Sequence, residues 1–204
     1  KFENEHIYNP RQGNDLFLTI DANLQSFSEK IMGEYIGSII VMDPDTGEIL
    51  TILSNPSYKL DSFASGISSK EWKKLVNNQS KPFNNRAIQS SYPPGSIFKL
   101  ILAAIVLEKN IINKDWEVNC TGEYQFYDQK FRCWKEEGHG FVDLSQAIQK
   151  SCNIYFYNLM QKIDFDLWSK EVRKFGFGDV LGIDLPSEKK GLVPDKKYMN
   201  KTYK

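Results

Sequence analysis

Residues 93–107 constrain this chain more than any other stretch. Pro93, Pro94 and Gly95 are followed by Ser96, Ile97, Phe98 and Lys99, and then by eight apolar residues from Leu100 to Leu107. Two prolines and a glycine end whatever precedes them, and Ser96 suits the cap or first turn of a new helix. With apolar side chains all round, that helix reads as a buried one. Its apolar run is far too short to span a bilayer. Lys99 is the one charge inside it, three residues after Ser96 and therefore on the same helical face.

The bland reading of that pair is a capping serine and a lysine whose head reaches water from an apolar surface. The chemical reading starts from burial, which disfavours an ammonium and lowers its pKa. The positive end of the helix dipole acts in the same direction. A neutral lysine beside a hydroxyl is a general base for it, and the helix N-terminus offers N–H groups to a developing oxyanion. Ser96 and Lys99 are thus candidates for an acyl-serine nucleophile and its base. Ser151 and Asn153 form a second candidate pair on a short loop between two predicted helices, where plain capping is the alternative.

Around these motifs the pattern is α+β. A strand is expected over 15–21 and a helix over 23–35, with Leu24, Phe27, Ile31 and Met32 on one face. A β-hairpin is expected over 37–58 about Asp43-Pro44-Asp45-Thr46-Gly47. Residues 59–95 read as loop-rich, with a short helix at 69–76. Residues 116–134 read as turn-like with short strands, their aromatics packed in the core rather than displayed as a sticky surface. Helices are expected over 143–151, 153–163 and 165–176, and mostly loop thereafter. Acidic and basic residues balance at 26 each, so net charge gives no argument for a nucleic-acid partner or an anionic membrane. No signal-peptide pattern opens the chain.

All three cysteines and one of the two histidines fall in one window, as Cys120, Cys133, His139 and Cys152, spaced C-x12-C-x5-H-x12-C. Three thiolates and an imidazole make a closed tetrahedral zinc set. A Cys120–Cys133 disulfide and three buried free thiols are the alternatives. The first leaves Cys152 without a role, and the second leaves the clustering unexplained.

Tyr92-Pro-Pro-Gly-Ser96-x-x-Lys99 followed by Ser151-x-Asn153 resembles the transpeptidase domain of class B penicillin-binding proteins, within the serine β-lactamase clan. "LTID", "VMDPDTGEIL", "NPSY", "NNRAIQSSYPPGS", "WKEEGHG" and "GIDLPSE" match in the family's order, with wording nearest the side-wall elongation type. The resemblance implies a partial penicillin-binding, β-lactamase-like fold: helix-rich, with an early hairpin and without the C-terminal strands. Residues 1–20 would be a linker from a pedestal region, and 21–204 a truncated transpeptidase domain. Ser96 would be acylated with Lys99 as base, Ser151 would relay the proton, and Asn153 would contact the substrate amide. The implied partners are peptidoglycan stem peptides, β-lactams and wall-elongation membrane proteins. The implied location is extracytoplasmic, on the inner membrane, anchored by a helix outside this sequence. The resemblance also implies a metal, since some members hold one through Asp, Asp, His and Cys, with cysteines here standing for the aspartates; structural Zn2+ is the expectation. The family's third motif, Lys-Thr-Gly, is missing. Lys201-Thr202-Tyr203 matches it only superficially, so the polypeptide is expected to be inactive alone. A serine β-lactamase or D,D-carboxypeptidase of the clan, and a non-catalytic zinc-stabilised module binding elongation partners, are the competing readings.

Overall fold

The computed structural model describes residues 12–64 and 66–202, which fall into two compact units divided between Ser90 and Ser91. Most of the segment expected to be a linker, residues 1–11, lies outside the described residues.

In the first unit, Asp21 caps helix α1 (Ala22–Met32) by accepting the N–H groups of Asn23 and Leu24. Strands β1 (Gly37–Met42) and β2 (Ile49–Asn55) pair antiparallel from Gly37↔Asn55 to Met42↔Ile49, with a bulge at Val41/Met42. In the turn between them, Asp43 accepts the N–H groups of Asp45 and Thr46. Helices α2 (Asp61–Ala64), α3 (Ser69–Val76) and α4 (Arg86–Gln89) follow. Buried Arg86 donates to the carbonyls of Ser80, Lys81 and Asn84, so it is the core of its own loop.

Two expectations fail in this unit. Residues 15–20 form no strand. Asp21 N–H reaches Leu50 O and Thr19 Oγ1 reaches Ile49 O, but Leu16, Phe17 and Leu18 stay exposed, so no buried face fixes a register. The inner face of α1 is Leu24, Gln25, Ser28 and Met32, whereas Phe27 and Ile31 point outward. The helix turns that way because Gln25 exchanges hydrogen bonds with both the N–H and the C=O of Ile52 on β2.

The second unit opens with a 3-10 turn, Gly95–Ile97, that continues as α5 (Phe98–Glu108). Strands β3 (Val118–Cys120), β4 (Glu123–Phe126), β5 (Gln129–Arg132) and β6 (Gly140–Val142) form two antiparallel ribbons, β3–β6 and β4–β5. Helices α6 (Leu144–Gln149), α7 (Asn153–Met160), α8 (Phe165–Arg173) and α9 (Lys196–Thr202) complete it. Asp143 and Gln146 close a capping box on α6. Leu102, Ile105 and Val106 of α5 pack with Val142, Ala147, Tyr155, Leu159 and Val172 in one core. Glu171 of α8, almost fully buried, bridges Lys109 at the end of α5 and Lys174.

Helix α5 is not buried on every side. Leu100, Ala104 and Leu107, spaced i, i+4 and i+7, form an exposed apolar stripe. The 116–134 aromatics divide as well. Tyr124 and Phe131 lie on Tyr157, while Phe126, Tyr127, Phe131 and Trp134 remain exposed by more than a third. A two-stranded ribbon buries one face at most, which is why the core cannot take them all. Lys201 and Thr202 lie in helix α9, not in a strand. Among the described residues, no helix is long and apolar enough to cross a membrane.

Candidate active site and metal-ligating cluster

The second unit brings the four candidate catalytic residues together. Gly95, at φ +63°, turns the chain so that Ser96 stands exposed in the 3-10 turn and Lys99 enters the first turn of α5. Ser151 and Asn153 arrive from the α6–α7 connection. Lys99 Nζ donates to Ser151 O at 2.9 Å, to Ser151 Oγ at 3.0 Å and to Asn153 Oδ1 at 2.7 Å. Ser151 Oγ donates to Ser96 Oγ at 3.0 Å. The hydroxyl of Ser151 therefore bridges serine and lysine, a link that the i, i+3 spacing of Ser96 and Lys99 does not contain.

Burial holds the Lys99 ammonium below the usual lysine range, and the nearby thiols of Cys133 and Cys152 push it partly back up. The face of the Phe156 ring lies 5.5 Å from Nζ and supplies further apolar cover. A lysine with a lowered pKa, joined through a hydroxyl to an exposed serine, is the arrangement that a base–nucleophile pair requires.

Cys120, Cys133, His139 and Cys152 also converge, with ligand atoms all within 4.8 Å of one another. The three cysteines are free and buried. His139 Nδ1 lies 3.5 Å from the sulfurs of both Cys120 and Cys133. A tetrahedral ion with ordinary Zn–S and Zn–N bonds places neighbouring sulfur and nitrogen about 3.6 Å apart, so the spacing fits a metal ion. Burial, followed by the charges of Lys135, Lys150 and Lys99, pushes the His139 pKa down and keeps the imidazole neutral, the form that ligates. Burial drives the Cys152 thiol up to about 12. At Cys133 burial acts the same way, but N–H groups of Lys135, Asn153 and Ile154 donate to the sulfur and leave its pKa lowered.

Two glycines make this cluster possible, Gly138 of the Gly-His-Gly turn and Gly122, which no motif marks. A Cβ on Gly122 (φ +90°) would sit 1.8 Å from Glu136 O, and one on Gly138 (φ +79°) would sit 2.0 Å from Cys120 O. The β3–β4 and β5–β6 connections cross too closely for any side chain there. "Gly-His-Gly" was the visible signal, at Gly138-His139-Gly140.

Residues 37–203 match the model of the penicillin binding protein transpeptidase domain. The chain is 39% identical over 199 residues to the peptidoglycan D,D-transpeptidase MrdA of Acinetobacter baumannii, covering 96% of this chain and 29% of that protein. Its fold is similar to that of Pseudomonas aeruginosa PBP2 in complex with WCK 5153, with a TM-score of 0.87 and 36% identity over 95% of this chain and 43% of that one. It is also similar to PBP2 in the complex of that protein with MreC from Helicobacter pylori, with a TM-score of 0.85 and 36% identity over 90% of this chain and 35% of that one.

Proposed function

The chain belongs to the penicillin-binding protein transpeptidase family, of the class B type represented by MrdA and PBP2, and on that premise we propose that it carries the acyl-serine half of a peptidoglycan D,D-transpeptidase. The observation that supports this most directly is the hydroxyl bridge Ser96–Ser151–Lys99. In the reacting direction, Ser96 gives its proton to Ser151 Oγ, whose own proton passes to neutral Lys99 Nζ. The Ser96 oxygen attacks the penultimate D-Ala carbonyl of a stem peptide. An ester to Ser96 forms, the terminal D-Ala leaves as a free amine after taking a proton, and an amine of a neighbouring stem peptide then displaces Ser96 to form the cross-link. Asn153 accepts from Lys99 through Oδ1 and donates through Nδ2 to Arg132 O, so its amide is held next to Lys99, and its proposed role is to contact the substrate amide. A β-lactam acylates the same oxygen, and its tethered leaving group stays in place.

The chain spans 29% of the length of the relative cited above, and the activity is proposed for the natural full-length protein. That protein should be covalently labelled by a fluorescent penicillin, and Ser96→Ala should abolish the label. Unchanged labelling of Ser96→Ala would end the proposal. Absence of labelling in both proteins would favour the non-catalytic module. Lasting acylation argues against the β-lactamase reading, which requires rapid deacylation. The 204 residues contain no Lys-Thr-Gly, and the isolated polypeptide should label much more slowly than the full-length protein; equal rates would refute that.

The same reading assigns structural Zn2+ to Cys120, Cys133, His139 and Cys152. Four protein ligands leave no open position, so the ion's contribution would be to hold its loops in place. Metal analysis of purified protein should give one zinc per chain with no thiol reactive; zinc-free protein with three reactive thiols would exclude it. The membrane partners are proposed to include a MreC-like protein, because the MreC complex contains a similar PBP2. Acylation of stem peptides places the domain outside the cytoplasmic membrane, where peptidoglycan lies.

A further inference from the structure

Ser151 adopts a backbone conformation that a residue with a side chain seldom takes, at φ +48°. It follows the C-cap of α6. Its N–H donates to Ile148 O and the N–H of Cys152 donates to Ala147 O, the helix-terminating pattern in which glycine is the usual occupant. A serine is strained there, and such strain persists only where neighbours over-determine it. The peptide groups on both sides of Ser151 are in fact held by side-chain donors. Lys99 Nζ donates to the carbonyl of Ser151 itself, and the indole N–H of Trp134 donates to the carbonyl of Lys150 at 2.9 Å.

Trp134 belongs to a run that meets this turn at two residues. Arg132 O accepts from the Asn153 amide, and Trp134 holds Lys150. Neither contact involves a residue of the Cys3His cluster. The Trp134 ring is 64% exposed and meets His139 edge to face at 5.2 Å, so little of its area is spent on the core. Its N–H has one partner, the carbonyl that sets the plane of the peptide entering Ser151.

We infer that Trp134 is a positioning residue: its N–H locks the Lys150–Ser151 peptide and thereby aims the Ser151 hydroxyl between Ser96 and Lys99. The inference rests on the acyl-serine reading for its kinetic consequence but not for its structural one. Two replacements separate donor from ring in the natural full-length protein. Trp134→Phe removes the N–H and shrinks the ring; β-(3-benzothienyl)alanine at position 134 removes the N–H and keeps the ring's shape. Both should lower the first-order acylation constant with a chromogenic β-lactam by about five- to tenfold, the loss of one hydrogen bond, with non-covalent affinity changed less than twofold. Amide hydrogen exchange at Ser151 and Cys152 should quicken by a similar factor in both, while α5 and α8 are unaffected. An unchanged acylation constant, a loss confined to affinity, a defect seen in the Phe variant alone, or loss of metal from the benzothienyl variant would each overturn the inference. Should the unsubstituted protein fail to acylate, the acyl-serine reading falls and exchange alone decides: unchanged protection of the two amides in both variants overturns the positioning role.

Discussion

At the scale of single residues, Lys99 shows how much depends on surroundings. Its charge is disfavoured by the burial that the apolar helix imposes, so the neutral base is reached below the ordinary lysine range. Acylation of the natural protein should therefore rise with pH through a limb lying below the usual lysine pKa of about 10.4, because the proposed mechanism uses deprotonated Lys99 as the base. A pH–rate profile with a chromogenic β-lactam checks this, and Lys99→Met should remove the limb and about 10²–10⁴ of the rate. Gly138 is a second case. A methyl group there would sit 2.0 Å from Cys120 O, and no change of side-chain rotamer relieves a clash with backbone. Gly138→Ala should cost about 2–4 kcal/mol of stability, measured by thermal unfolding, and should also lower the content of the proposed zinc, measured by metal analysis. The serine, lysine and cysteines were legible as residue types; the glycine requirement was not, because it arises where two loops cross.

At the scale of elements, the helices were the most legible part. Helix α3 falls on its expected residues, and α8 begins at its expected first residue, Phe165. What failed was partnership. The 15–20 segment has strand composition but forms no ladder with any described residue, and the inner face of α1 was chosen by Gln25 reaching β2 rather than by apolar spacing. The α5–α8 contact carries a prediction of its own. The hydrogen bond from Lys174 holds the Glu171 carboxyl below the usual range against the opposing effect of burial, with Lys109 adding to it. A depressed folded-state pKa means that this stabilisation is present above the normal glutamate range of about 4.3 and is lost as pH falls through the lower folded value. Urea unfolding between neutral and acid pH should show Glu171→Gln flattening the acid limb, with the difference between variant and parent vanishing at the lowest pH.

For the molecule as a whole, the Cys3His cluster joins the β3–β6 ribbon, the β5–β6 loop and the N-terminus of α7, which also carries Asn153. If zinc occupies it, removal by a chelator should lower the midpoint of thermal unfolding by several degrees. Ligand protonation should release the metal progressively as pH falls below neutrality, since cysteine and histidine ligands must give up protons to bind. A midpoint unaffected by chelation in metal-bearing protein would deny the ion a structural role. The sequence by itself determined the α+β pattern, the family's motifs in order, the apolar helix that carries Lys99, and the set of four metal-ligand candidates. Those features are local, written in composition and spacing. Tertiary structure alone decided that Ser151 stands between Ser96 and Lys99, that the four candidate ligand atoms come within 4.8 Å of one another, and that Trp134 donates to the turn that carries Ser151. Each of these joins residues from separate elements, and the position of one element against another is set by packing and backbone hydrogen bonds that no spacing along the chain records.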